Sequence, residues 1–166
     1  NLCRFLSSVT GYVYARKQNN IYVNLFIGST ANIDLDKKLS VKISQTSNYP
    51  WEGNIRFTVN PSHKSNFAVR LRLPGWAVNR PVPSDLYAYI GTQSPKYTLL
   101  VNGKEYSAPV EDGYLVIERT WKKGDQISYN LPMEIKKTVA NEKVAADRGL
   151  VAIERGPILY CLESPD

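Results

Sequence analysis

The chain has 166 residues, 43% of them hydrophobic and 22% charged, and a formal net charge of +6. These proportions belong to a globular domain with a core of its own and exclude a disordered chain. No apolar run approaches a membrane span, and Cys3 and Cys161, at opposite ends, form neither a disulfide framework nor zinc-ligand spacing.

The first ten residues differ from all that follow. Leu2, Phe5, Leu6 and Val9 fall at i, i+3, i+4 and i+7, one stripe of an α-helix, with Asn1 as its N-cap and Gly11 placed for a left-handed C-cap. A helix this short must bury its stripe against something, and no later segment offers a second helix. From Tyr12 the chain reads as strands. Tyr12–Lys17 and Ile21–Gly28 are joined through Gln18-Asn19-Asn20, and a short edge strand over Asn32–Asp36 follows. Lys38–Gln45, Ile55–Val59 and Phe67–Leu73 alternate apolar and polar, the signature of an antiparallel sheet with one wet face. Residues 77–96, with Pro81, Pro83, Gly91 and Pro95, read as a long surface loop with one helical turn near Ser84-Asp85-Leu86. Leu99–Tyr106 is a hairpin around Asn102-Gly103, the pair a type I′ turn requires. Further strands are expected at Tyr114–Arg119, Gln126–Leu131, Glu134–Val139, Leu150–Glu154 and Ile158–Leu162. The fold class is therefore all-β: an antiparallel β-sandwich with a short N-terminal helical remnant.

Charge is uneven. Residues 1–80 carry eleven Lys or Arg against three Asp or Glu, and residues 81–166 carry ten against twelve. The basic residues, Arg70 and Arg72 among them, alternate with apolar ones along strands, as on a solvated sheet face, and no nucleic-acid reader motif accompanies them. Catalytic constellations are scarce. His63, the only histidine, lies in a Pro-containing turn and reads as a solvated residue. Glu111-Asp112 is the one adjacent carboxylate pair before a glycine, and neighbours in a turn do not face each other across a substrate. Cys3 and Cys161 sit in apolar runs and are expected as buried thiols, Cys161 in the core, which leaves the compartment open. The three tryptophans are the remaining resource: Trp51 and Trp76 each follow a proline-containing strand end, and Trp121 adjoins a Lys-Lys-Gly turn. Trp51 and Trp76 are the candidate sugar-contact residues. The competing reading makes the tryptophans plugs of the sandwich ends.

Several stretches occur together in a recognisable order: Tyr49-Pro50-Trp51-Glu52-Gly53, Leu71-Arg72-Leu73-Pro74-Gly75-Trp76-Ala77, Gly113-Tyr114-Leu115-Val116-Ile117, Trp121-Lys122-Lys123-Gly124-Asp125, and Ala146-Asp147-Arg148-Gly149 through Arg155-Gly156-Pro157. In this order the chain resembles the C-terminal half of the β-L-arabinofuranosidase type of glycoside hydrolases, family 127 and its relatives. The resemblance implies an upstream catalytic (α/α)₆ barrel with a zinc-bound cysteine thiolate as nucleophile and a glutamate as acid/base, all outside this chain. Cys3 lies past the nucleophile motif and does not inherit that role.

The expectations are these. Residues 1–11 are the last helical piece of that barrel, and residues 12–166 form one β-sandwich domain. The chain holds no catalytic residue and no cofactor, zinc being expected in the barrel. Its role is a non-catalytic accessory domain of a hydrolase acting on arabinose-containing plant glycans, buttressing the barrel. The alternatives are an autonomous carbohydrate-binding module and a protein-interaction sandwich. The partners are the barrel in cis, a glycan, or a second copy through the barrel-facing surface, with neither nucleic acid nor membrane involved. The stripe of Leu2, Phe5, Leu6 and Val9 should be poorly packed.

Overall fold

A computed structural model of the protein describes residues 2–91 and 96–161. Asn1, Pro95 and Leu162 lie outside the described residues. The N-terminal helix, α1 (Leu2–Ser8), has no buried residue, and Leu2, Phe5 and Leu6 are exposed. Its stripe is thus unpacked, as the sequence leads one to expect. Cys3 is also exposed, because no second layer covers the helix. Gly11 is not a left-handed cap: the helix tightens into a 3₁₀ turn over Val9–Tyr12 that contains it.

In chain order the next strands are β1 (Tyr14–Lys17), β2 (Asn20–Val23), β3 (Ser29–Asp34), β4 (Ser40–Ser47), β5 (Asn54–Pro61) and β6 (Ser65–Arg72). After β7 (Tyr87–Ile90) come β8 (Thr98–Val101), β9 (Lys104–Glu105), β10 (Val110–Glu111), β11 (Tyr114–Trp121) and β12 (Asp125–Asn130). The chain ends in β13 (Ile135–Ala140), β14 (Val151–Arg155) and β15 (Ile158–Tyr160). The fold is all-β, and it divides into two compact units, Asn1–Leu73 with Thr98–Asn130, and Pro74–Tyr97 with Leu131–Asp166.

The first unit is a sandwich of two sheets, ordered β1-β2-β6-β11-β10 and β3-β4-β5-β12-β8-β9. Strand alternation supplies its core. Ile21, Val23, Val69, Leu71, Leu115 and Ile117 line the inner face of one sheet; Val41, Ile43, Phe57, Val59, Ile127 and Tyr129 line that of the other. Each such side chain contributes about 1.5–3 kcal/mol on burial. One pair departs from the antiparallel pattern: β2 runs parallel to β6. The strand expected over Ile21–Gly28 stops at Val23, because the chain leaves one sheet there and enters the other at Ser29. Phe26 is buried at that crossing, edge-on to Tyr49 and Tyr129 at 5.6 and 5.7 Å. Asn102 and Gly103 both take positive φ, 52° and 76°, so the expected type I′ turn is formed.

The second unit holds one antiparallel sheet, β15-β14-β13-β7. Its strand β7 lies inside the segment read as a surface loop, and the expected helical turn at residues 84–86 is absent; a 3₁₀ turn forms earlier, at Gly75–Val78. Cys161 follows the edge strand β15 and is exposed, which overturns its placement in the core: an edge strand buries little.

Candidate functional site

Trp51 and Trp76 belong to different units. Trp51 sits in the turn between β4 and β5, where the N–H groups of Trp51 and Glu52 both donate to the Asn48 carbonyl at 2.9 and 3.2 Å. Ser47 Oγ accepts from the Tyr49 N–H, and the Tyr49–Pro50 bond is cis. The turn presents the ring to solvent, and Trp51 is 66% exposed.

Trp76 is placed differently. Pro74 starts a 3₁₀ turn in which Ala77 N–H donates to the Pro74 carbonyl and Arg80 N–H to the Gly75 carbonyl; Asn79, at φ 61°, ends it. Gly75 permits the close return, since a Cβ there would stand 2.7 Å from the Arg80 carbonyl oxygen. The Trp76 ring is half-buried against Gly156, where a Cβ would lie 3.6 Å from the ring and 2.7 Å from Met133. Trp121 is fully buried, donates its indole N–H to the Phe67 carbonyl at 2.9 Å, and stacks on Phe67. Of the three rings, Trp51 is the exposed one.

The side chain that holds the Trp76 turn escaped the sequence reading. Lys136 on β13 is 5% exposed; its ammonium donates to the Trp76 carbonyl at 2.8 Å and to Asn79 Oδ1 at 3.1 Å, and lies 4.6 Å from the centre of the Tyr89 ring. Burial, opposed by Glu134 and Glu154, holds its pKa below the ordinary lysine value. On the same sheet face Glu154 accepts from Tyr89 Oη at 2.9 Å and from Thr138 Oγ1 at 2.6 Å. Burial, then the Glu154 carboxylate, raises the Tyr89 phenol well above its usual range. The signal was present in the alternation of Glu134–Val139, which puts Lys136 and Thr138 on one face. Register with β14 then pairs Lys136 with Glu154, and that pairing is a long-range fact.

The other carboxylates raised from sequence are engaged too. Glu111 forms an ion pair with Arg70 at 2.9 Å, and Arg70 also donates to Asn20 Oδ1 and lies over the Tyr22 ring. Asp112 and Gly113, with φ 49° and 81°, form the turn between β10 and β11. His63 is exposed. A groove of about 280 Å³ is lined by Tyr14, Arg16, Asn32 and Asp34 with Ala15 and Ile33. Among the described residues no three His, Cys, Asp or Glu side chains are grouped to hold a metal ion, so the zinc that the resemblance implies finds no ligand set in this span. No helix among them is long and apolar enough to cross a membrane.

Fold and side-chain clusters together define a β-sandwich module whose charged groups chiefly hold turns and strands in place. The chain belongs to glycoside hydrolase family 127: the family's β-L-arabinofuranosidase middle-domain model matches residues 20–133, and its C-terminal-domain model matches residues 135–166. It is similar to the non-reducing end β-L-arabinofuranosidase of Bifidobacterium longum subsp. longum, at 34% identity over 100% of this chain and 23% of that protein. Among solved structures, a GH127 β-arabinofuranosidase aligns at 43% identity with a TM-score of 0.90, covering 96% of this chain and 25% of that one. A GH127 β-L-arabinofuranosidase from Geobacillus stearothermophilus T6 aligns at 34% identity with a TM-score of 0.84, covering 98% and 23%. The chain therefore spans about a quarter of the length of these relatives.

Proposed function

We propose that this chain is the non-catalytic β-sandwich part of a glycoside hydrolase acting on arabinose-containing glycans, and that it buttresses the catalytic barrel. The observation that carries the reading is the match, in order, to a middle and a C-terminal domain of one enzyme family in a chain spanning a quarter of its relatives. The exposed stripe of Leu2, Phe5 and Leu6 supports it, since an apolar helix face of that kind is suited to packing against a helical neighbour. The test is hydrolysis of an aryl β-L-arabinofuranoside by the 166-residue chain and by the complete protein. Turnover is expected from the complete protein alone; turnover by the chain alone would overturn the reading.

A second reading, direct glycan contact, is favoured by one observation, the exposure of Trp51. Calorimetric titration with arabinose-containing oligosaccharides should then give a binding signal that Trp51→Ala abolishes and Trp76→Phe retains. Equal signals from the parent chain and Trp51→Ala would remove Trp51 as a sugar contact.

A further inference from the structure

The four-stranded sheet of the second unit has two faces of different character. One carries Lys136, Thr138 and Glu154 beneath the Trp76 turn. The register places Ile90, Ile135, Val139, Val151, Ile153 and Tyr160 together on the other, because Lys137 pairs with Ile90 and Ile153, Val139 with Val151, and Ile153 with Tyr160. Of these, Ile90, Ile135, Val151 and Tyr160 are exposed, Ile135 at 72%. Four strands about 4.8 Å apart make this a patch of roughly 300 Å² in plan, the size at which exposed apolar surface marks an interaction site.

We infer that this face is the inner surface of a second sandwich, covered in the complete protein by a β layer from the remainder of the family's C-terminal domain. Three observations select that occupant. The C-terminal-domain model matches only residues 135–166, about 30 residues, fewer than the roughly 40 below which a domain cannot stand on one core. The relatives extend well beyond the matched span, about three-quarters of their length lying outside it. The strands β13, β14 and β15 are joined as consecutive antiparallel hairpins rich in Ile and Val on this face. Such a surface packs on another sheet about 10 Å away, as the two sheets of the first unit do. This inference rests on family membership and not on the buttressing role, so it can fail while that role stands.

The experiment places the photo-crosslinker p-benzoylphenylalanine at Ile135, and separately at Ile90, in the complete protein, with Lys42 on the polar outer face of β4 as control. After irradiation, mass spectrometry should find the dominant cross-link from positions 135 and 90 to a peptide C-terminal to Asp166 with alternating apolar residues, and none from position 42. Cross-links to a peptide N-terminal to Asn1, to a second copy of the protein, or to nothing would each overturn the inference. Activity assays on the same samples report the buttressing role separately.

Discussion

Lys136 is a cation taken out of water and given three partners in return: the Trp76 carbonyl, Asn79 Oδ1 and the face of Tyr89. Removing it strands two acceptors, at about 1–3 kcal/mol for buried groups left without donors. Lys136→Met keeps the aliphatic volume, so a lowered unfolding midpoint in denaturant would report those bonds, and an unchanged midpoint would show that water replaces them. The pH dependence carries a sign. The folded-state pKa of Lys136 is lowered, chiefly by burial, so the unfolded chain binds the extra proton between that value and about 10.5. Stability gains from this group as pH rises through that window, and Lys136→Met should lose the gain. Tyr89 acts oppositely: burial first and Glu154 second raise its phenol, so above about pH 10 the unfolded state releases the proton first and stability falls. Tyr89→Phe should cost about 1 kcal/mol at pH 7.5 through the lost bond to Glu154 and flatten the decline above pH 10. Unfolding curves at pH 7.5, 9 and 10.5 check both variants, and a Tyr89→Phe curve parallel to the parent's would defeat the assignment. Little of this was legible beforehand. Alternation shows that Lys136 faces inward, but its acceptors lie some 60 residues away in sequence, on a turn that only the folded chain brings near.

The elements show why some signals read cleanly. In β4, β5, β6, β11 and β12 one face is wet and the other buried, so a period of two survives in the sequence. Asn102-Gly103 was legible because its turn type depends on local φ alone. β7 was hidden by its four-residue length among prolines and glycine, and the end of β2 by a change of sheet that no local pattern encodes. The helix α1 was legible as an amphipathic stripe, and its exposure in this chain makes a prediction at this scale. A seven-residue helix contributes little by itself, and none of its residues is buried. Replacing Leu2, Phe5 and Leu6 together by Ser should therefore leave the unfolding midpoint of the 166-residue chain within about 0.5 kcal/mol of the parent while reducing dye binding to apolar surface. In the complete protein the same triple change should lower stability or activity, because there the stripe has a neighbour to lose. A large loss in the isolated chain would mean that α1 is part of the sandwich core.

At the scale of the molecule, evenly spaced strands suggest one sandwich over residues 12–166, whereas the chain forms two compact units whose division follows pairing between β7 and β13, about 50 residues apart. Periodicity does not report which strand finds which partner, and so the division was not legible. The units are unequal. Nearly every buried apolar side chain lies in the first; in the second, Ala77 and Leu131 are the buried apolar residues among those described, beside the buried Lys136 and Thr138. Local stability follows buried apolar contact, so the second unit should open at lower free energy than the first. Amide hydrogen exchange on the 166-residue chain should find β13, β14 and β15 exchanging at least tenfold faster than β5, β6, β11 and β12, a difference of about 1.4 kcal/mol or more in opening free energy. Thermal unfolding should show two transitions, the first without loss of the Trp121 environment. In the complete protein, protection of β13 to β15 should rise toward that of the first unit. Uniform protection and a single transition in the isolated chain would mean that the two units fold as one, and that the small second core is sufficient.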